Sequence, residues 1–448
     1  MPQNHFHSLR RLLLSPQAWR MRLAFAIGAL LVGLVSTGFG IASLHANQLF
    51  FKMAEQAPLA PLVVTPLGLV LVTWLARRFF PGSEGSGINQ IIAALEMRTK
   101  SRVVSLKLAA GKILLTLIGQ SCGASIGREG PTVHVAASIM YSMRHFARFP
   151  PDYMARAMLL AGSAAGISAA FNTPLAGIVF AIEEISRAFS AHIAGIVTLA
   201  VIFSALVAMA LTGQNSYFGT DSVASVDALG DWAAVLLCGT LAGLAGGLFA
   251  LLVVKGSRWL APVVATNPLS VAFLCGCVLV TTGAMTDYQV MGSGFDIAKS
   301  LVIDSAETDP LYPMFKFIAS LASYLSGIPG GIFAPALSTG AGIGVDLHRM
   351  IPVSSLELMV LLGMVGYFAG AVKSPITGFV IVMEMTNDQY TLLALMATAM
   401  IGYGASYLIS PYPLYHSLAQ LFLEKQEHQS QQENQDQQNQ ARQRPASS

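Results

Sequence analysis

An arginine and a glutamate stand side by side in Gly127-Arg128-Glu129-Gly130-Pro131, within a stretch that is otherwise almost wholly apolar. Ionisable groups at membrane depth cost about 2.5–3.5 kcal/mol each on insertion scales, so they persist where they serve function. Residues 113–126 carry no charge, and 133–141 (VHVAASIMY) resume as a helix-like run. Pro131 suits a first helical turn, where its missing N–H is not needed, and Gly127 and Gly130 allow a tight turn around the charged pair. The leading amides of such a helix have no intrahelical partner and lie at the positive end of its dipole, which makes them an anion site. Glu129 is an anion tethered at that spot, and it reads as a competitor for a diffusible one. The plainer alternative is a structural pair with Arg128.

Two further stretches offer donors without charge. Gly82-Ser83-Glu84-Gly85-Ser86-Gly87-Ile88-Asn89 precedes the helical pattern QIIAALE. The Ser86 hydroxyl and adjacent amides, Gly87 among them, can hold an anion reversibly; the same residues also fit an ordinary glycine-rich turn with a serine cap. Tyr415, within Pro411-Tyr412-Pro413-Leu414-Tyr415-His416, adds a hydroxyl at the end of the last apolar run, where tyrosines also serve as interfacial anchors. Cys122, Cys238, Cys275 and Cys277 lie in apolar segments without metal-ligand spacing, so they read as packing residues, and neither a metal nor another cofactor is expected. A net charge of +3 without a basic cluster among aromatics argues against nucleic acid as a partner.

What must position these groups is a membrane scaffold. Of 448 residues, 54% are hydrophobic and 11% charged, with a mean hydropathy of +0.60, where soluble proteins average about 25% charged. Apolar stretches near 23–53, 58–76, 157–182, 191–212, 232–254, 260–284, 355–372 and 390–410 approach or exceed the length that spans about 30 Å of hydrocarbon. Forty-one glycines and 21 prolines imply broken, closely packed helices, which lipid permits only where protein or a cavity covers the freed backbone. An all-α integral membrane protein follows, with transporter or channel as its class.

Arg10, Arg11, Arg20 and Arg22 precede the first apolar run, which places the N-terminus in the cytoplasm. That run is too long for a signal-peptide core and lacks a convincing cleavage pattern, so it is expected to remain as a helix. Between Ala188 and Val254 there is no lysine or arginine, and the polar stretch 213–231, with Asp221, Asp227 and Asp231, is expected outside. Lys255 and Arg258 return the chain to the cytoplasmic side. The chain thus divides into a cytoplasmic segment (1–22), a first membrane half (23–212), an external linker (213–231), a second half (232–423) and a polar tail (424–448) expected to be disordered and cytoplasmic.

The halves repeat one another. Pro174, Gly177 and Glu183 in AAFNTPLAGIVFAIEE match Pro375, Gly378 and Glu384 in AVKSPITGFVIVMEM at an offset of 201, and Gly127 to Pro131 is echoed in Gly331-Ile332-Phe333-Ala334-Pro335 at an offset of 204. If one half starts inside and the other outside, they are inverted, and their broken helix starts converge near the midplane from opposite sides.

Taken together, Gly85-Ser86-Gly87-Ile88, Gly127-Arg128-Glu129-Gly130-Pro131, Gly331-Ile332-Phe333-Ala334-Pro335 and Tyr415 resemble, in order and over about 20–425, the four filter elements of the CLC family of chloride channels and proton-coupled chloride transporters. The resemblance implies two inverted halves of tilted and broken helices, and chloride exchanged for protons. Ser86 and Tyr415 would bind the anion through hydroxyls, with the amides of Ile332 and Phe333 helping. Glu129 would be the external gate and Glu184 the internal proton-transfer residue, supported by Gly127, Arg128, Gly130 and Glu183. It further implies a homodimer with one pathway per subunit, in contact with membrane lipid, in a bacterial inner membrane with both termini cytoplasmic. The chain departs from the family at Asn89, where proline is common, and it shows no paired regulatory modules after the membrane part, as in prokaryotic forms. Three alternatives stand beside this reading: a passive voltage- or pH-gated chloride channel; Glu183 or Glu184 as mere partners of Arg187; and an intramembrane hydrolase using Ser125, because Gly123-Ala124-Ser125-Ile126-Gly127 fits a nucleophile elbow. Gly340-Ala341-Gly342-Ile343-Gly344 is expected to let helices pack closely.

Overall fold

The computed structural model describes residues 16–97, 103–145, 151–185, 191–213, 218, 226, 228–303 and 308–427, and they are helical, without a strand among the described residues. The first half comprises α1 (Pro16–Gln56), α2 (Pro61–Phe79), α3 (Ile88–Glu96), α4 (Leu106–Ser121), α5 (Glu129–Ser142), α6 (Pro151–Phe171), α7 (Pro174–Phe180, continued by a wide turn over Ala181–Ile185) and α8 (Ala191–Thr212). The second comprises α9 (Leu229–Thr266), α10 (Pro268–Ala284), α11 (Phe295–Ile303), α12 (Tyr312–Leu325), α13 (Phe333–Met350), α14 (Leu356–Val372), α15 (Pro375–Thr386) and α16 (Leu392–Ser406). A last helix runs over 414–427. Residues 1–15, most of 214–227 with Asp221 and Asp227, Arg187 within 186–190, and 428–448 lie outside the described residues, and with them most of the expected linker and of the polar tail.

Among the described residues, five helices are long and apolar enough to cross a membrane: Arg22–Gln56, Pro61–Phe79, Met154–Phe171, Ile193–Thr212 and Leu229–Thr266. The expected segment 157–182 is instead two helices. Asn172 takes a left-handed conformation (φ 55°) between α6 and α7, and Pro174, at the start of α7, keeps Thr173 out of the helical region. Lys373 (φ 70°) and Pro375 break the second half at the corresponding point. The break expected between 254 and 260 falls at Asn267, so that Lys255 and Arg258 lie within α9, where long basic side chains can reach toward an interface along the helix.

Helix starts of the first half have counterparts in the second. α3 and α11 begin at Ile88 and Phe295, α5 and α13 at Glu129 and Phe333, α7 and α15 at Pro174 and Pro375. The inversion is visible in hydrogen bonds. Glu183, at the C-terminal end of the first broken helix, accepts from the amides of Ile376 (3.0 Å) and Thr377 (2.6 Å) that open α15. Glu384, at the end of α15, accepts from the amides of Leu175 (3.0 Å) and Ala176 (2.7 Å) that open α7. Each helix ends where its mate begins, so the two run antiparallel, and each carboxylate offsets orphan amides and the dipole of the facing helix.

The middle of the molecule is made of helices buried on all sides. Every residue of α5 from Glu129 to Tyr141 and of α14 from Leu358 to Val372 is buried, the pattern of helices with no lipid or solvent face. With 14 residues rising about 1.5 Å each, α5 cannot cross the hydrocarbon, so its end lies within the membrane depth. Close packing of α13 on α14 depends on the Gly340 to Gly344 run, as expected: a Cβ on Gly340 would stand 2.5 Å from the Gly363 carbonyl oxygen.

Candidate functional site

The Gly127 and Gly331 motifs meet each other. Gly127 N–H donates to Gly331 O and Gly331 N–H to Gly127 O, both at 2.7 Å, so that the repeat axis passes between the two turns. Immediately after them α5 begins at Glu129 and α13 at Phe333, with Ile332 as its cap residue. Two helix N-termini therefore converge on one place, and unpaired amides with positive dipole ends from both halves face it.

The loop carrying Ser86 is tied down from behind. Lys112, fully buried on α4, donates from Nζ to Ser83 O (2.9 Å) and Gly85 O (3.0 Å), and the Gln90 amide donates to Gly82 O (2.6 Å) and Glu84 O (2.8 Å). Gly87 turns the chain with φ 104° and packs against α5, where a Cβ would come 2.8 Å from Gly130 O and from His134 Cβ. Its amide donates to Asn89 Oδ1 at 3.3 Å. The Asn89 side chain thus satisfies the amide of Gly87, the cap residue of α3, a bond that proline at that position would leave unmade.

These constraints bring the candidate residues together. A Cβ on Gly130 would strike Ser86 Oγ, which sets the Ser86 hydroxyl against the first turn of α5. The Tyr415 hydroxyl faces Ser86, and the Tyr415 ring lies 5.9 Å from that of Phe333. Phe333 is held in turn by Phe368 (4.8 Å), Phe180 (5.9 Å) and Phe171 (6.3 Å). The carboxylate of Glu129 lies against Gly127, faced by the amides of Glu129, Ala334 and Arg128, while Arg128 Nη2 donates to Ala170 O (3.2 Å) at the end of α6. Ser86 Oγ, Tyr415 Oη and Glu129 Oε2 are all buried without a partner of hydrogen-bonding geometry. A buried polar atom left unpaired costs about 1–3 kcal/mol, so a cluster of such atoms calls for a partner such as an ion or water.

Glu184 sits apart from this cluster, on the wide turn after α7, 2% exposed. Such wide turns are frequent at functional sites. Its Oε2 accepts from Ser374 Oγ, and Oε1 lies 3.7 Å from His416 Nδ1. The neighbouring Glu183 is committed to capping α15, with Thr377 Oγ1 as a further donor at 2.8 Å. Ser125 is buried and bonded to serines alone in the contacts described: its Oγ pairs with Ser320 Oγ (3.1 Å), and its amide donates to Ser323 Oγ (3.0 Å). It lies on no strand-to-helix elbow.

Several residues that build the site escaped the sequence reading. Lys112 has a counterpart in Lys316, fully buried on α12, which donates to Val290 O and Gly292 O, each at 2.9 Å. The segment that Lys316 holds, Gly292-Ser293-Gly294-Phe295, repeats Gly85-Ser86-Gly87-Ile88. A lysine in the interior of an apolar helix in each half, Lys112 and Lys316, together with that four-residue echo, was the available signal. Ser374 and His416 offered none, because their partner is distant in sequence.

A family profile described as voltage gated chloride channel matches residues 67–407. The chain belongs to the CLC family. It is 29% identical over 441 residues to the H(+)/Cl(-) exchange transporter ClcA of Vibrio campbellii, covering 93% of this chain and 92% of that protein. It is 30% identical over 387 residues to the ClcA of Klebsiella pneumoniae subsp. pneumoniae, covering 82% and 81%. Its fold matches the crystal structure of a slow cyanobacterial Cl-/H+ antiporter (TM-score 0.81, 23% identity, 92% of this chain and 100% of the other). It also matches that of a CLC-type fluoride/proton antiporter (TM-score 0.77, 24% identity, 88% and 96%). This CLC chain is accordingly a multi-pass membrane transport protein of two inverted helical halves.

Proposed function

We propose that this CLC protein exchanges chloride for protons, with Glu129 as the gate and Glu184 as the inner proton-transfer residue. The observation that carries the reading is the trio of unpartnered buried atoms, Ser86 Oγ, Tyr415 Oη and Glu129 Oε2, at the meeting point of two helix N-termini. Two hydroxyl donors and the amides of Ile332 and Phe333 suit a monovalent anion that must also leave, because they hold it without a full countercharge. Gly87 shapes the turn that presents Ser86.

Ionised Glu129 occupies amides that an anion also wants. Protonation removes its charge and loosens its hold on the amides of Arg128, Glu129 and Ala334, so the side chain swings out and chloride takes the vacated donors. The group that carries the proton is thus the group that competes with the anion, and the two fluxes are coupled. Glu184, buried and apart from the anion donors, supplies the proton from the cytoplasmic side. Its acid function is not needed by a passive pore, which favours exchange over a channel.

The protein is expected to act as a homodimer in a bacterial inner membrane, with both termini cytoplasmic. α7, α8, α15 and α16 pack side by side and carry exposed apolar residues that include Leu175, Ile182, Leu199, Leu206, Ile376 and Met400, a face suited to a second copy. The test of function is to reconstitute the chain in liposomes and impose a chloride gradient. Exchange requires protons to move against their own gradient until that gradient balances the remaining chloride gradient. Chloride flux with no proton movement would instead establish a channel.

A further inference from the structure

Glu184 is 2% exposed, so a proton reaching it from bulk water needs an intermediary. Of its two carboxylate oxygens, Oε2 is engaged by Ser374 Oγ, and Oε1 is buried without a hydrogen-bond partner. The polar atom that the structure sets before Oε1 is Nδ1 of His416, at 3.7 Å, and it too is buried and unpartnered. The His416 side chain as a whole is 26% exposed. Because Nδ1 is buried, that exposure belongs to other atoms of the side chain. The imidazole therefore has one nitrogen turned inward to the carboxylate, on a side chain that reaches the surface of the fold. A separation of 3.7 Å exceeds a hydrogen bond and is closed by a small rotation of either side chain.

We propose that His416 relays protons to and from Glu184. This rests on the reading of Glu184 as the inner proton-transfer residue. Imidazole changes charge in the neutral pH range and carries a proton at either of two nitrogens, which suits it to a shuttle. The ring takes a proton from water at its outward side and becomes imidazolium, with N–H at both nitrogens. It then releases the Nδ1 proton to Oε1 of ionised Glu184, leaving a neutral ring and a neutral carboxyl group. Reversal of the same two transfers carries a proton out. Ser374 is a positioning residue in this step: by donating to Oε2 it fixes the carboxylate so that Oε1 meets the ring. The position of His416 is fixed by the adjoining Tyr415, fully buried in the anion site, so proton entry and anion binding are built on consecutive residues.

An ion pair that merely fastens the last helix to α7 is the alternative, and the variants must separate the two roles. Chloride and proton fluxes are measured together in liposomes for the wild type, Glu184→Gln, His416→Gln, His416→Asp and His416→Ala, the last with and without imidazole in the cytoplasmic-side buffer. The relay predicts that His416→Gln keeps chloride flux and loses proton flux by about tenfold or more, within the range that a positioned proton-transfer group contributes. It also predicts that aspartate retains coupling, since it can carry a proton, and that imidazole restores proton flux to His416→Ala. Wild-type proton flux in His416→Gln would overturn the relay, as would a loss that neither aspartate nor imidazole repairs. Loss of coupling in Glu184→Gln alongside an unaffected His416→Gln would leave the role of Glu184 standing and remove only His416. Unaffected coupling in Glu184→Gln would remove both.

Discussion

Glu129 and Glu184 are both buried carboxylates, yet their surroundings assign them different work. Glu129 faces backbone amides from two helix starts, groups that bind any anion, whereas Glu184 faces a serine hydroxyl and an imidazole, groups that fix or exchange a proton. Glu184→Gln should accordingly abolish proton movement while chloride still permeates, measured as proton uptake beside chloride efflux in the same vesicles. Removing one hydroxyl from the proposed anion site, by Ser86→Ala or Tyr415→Phe, removes one hydrogen bond to a charged acceptor, about 1.5 kcal/mol. Chloride affinity in calorimetric titration should then fall about tenfold for either change. An unchanged affinity in both would remove the hydroxyls from the site. The Glu129 motif was legible in the sequence because charge in apolar surroundings is costly wherever the chain goes. His416 and Ser374 were not, since their meaning depends on a partner 232 and 190 residues away respectively.

At the scale of elements, Glu183 and Glu384 hold the antiparallel pair α7 and α15 by capping each other's helix starts. The repeat placed both acids at corresponding positions, but sequence alone left Glu183 open to pairing with Arg187. Its carboxylate is directed at the amides of Ile376 and Thr377. Glu384→Gln keeps the shape and loses the charge of a cap, for which about 1 kcal/mol is a typical cost. It should lower thermal stability in detergent by about one degree without altering the ratio of chloride to protons. A changed ratio with unchanged stability would contradict a capping role. Helix boundaries were the least legible feature. Segment 157–182 reads as one apolar run because Asn172 and Thr173 are too few to interrupt hydropathy, yet a left-handed residue followed by a pre-proline residue is enough to break a helix.

Over the whole molecule, the inverted repeat explains why no single span contains the site. α5 and α13 stop at membrane depth and present their N-termini to one point, and the reciprocal bonds of Gly127 and Gly331 lock the halves together there. Steric disruption at this junction should be felt as lost transport before lost folding: Gly130→Ala pushes a methyl group onto Ser86 Oγ and should reduce chloride flux with assembly intact, as checked by size-exclusion chromatography. In the proposed mechanism one carboxylate, Glu129, both blocks the anion and carries the proton. Chloride efflux and proton uptake recorded together from liposomes bearing Glu129→Gln decide this, because that side chain keeps its size but can neither ionise nor deliver a proton. Sustained chloride flux with no coupled proton movement is expected. Proton uptake at the wild-type ratio in that variant would contradict it.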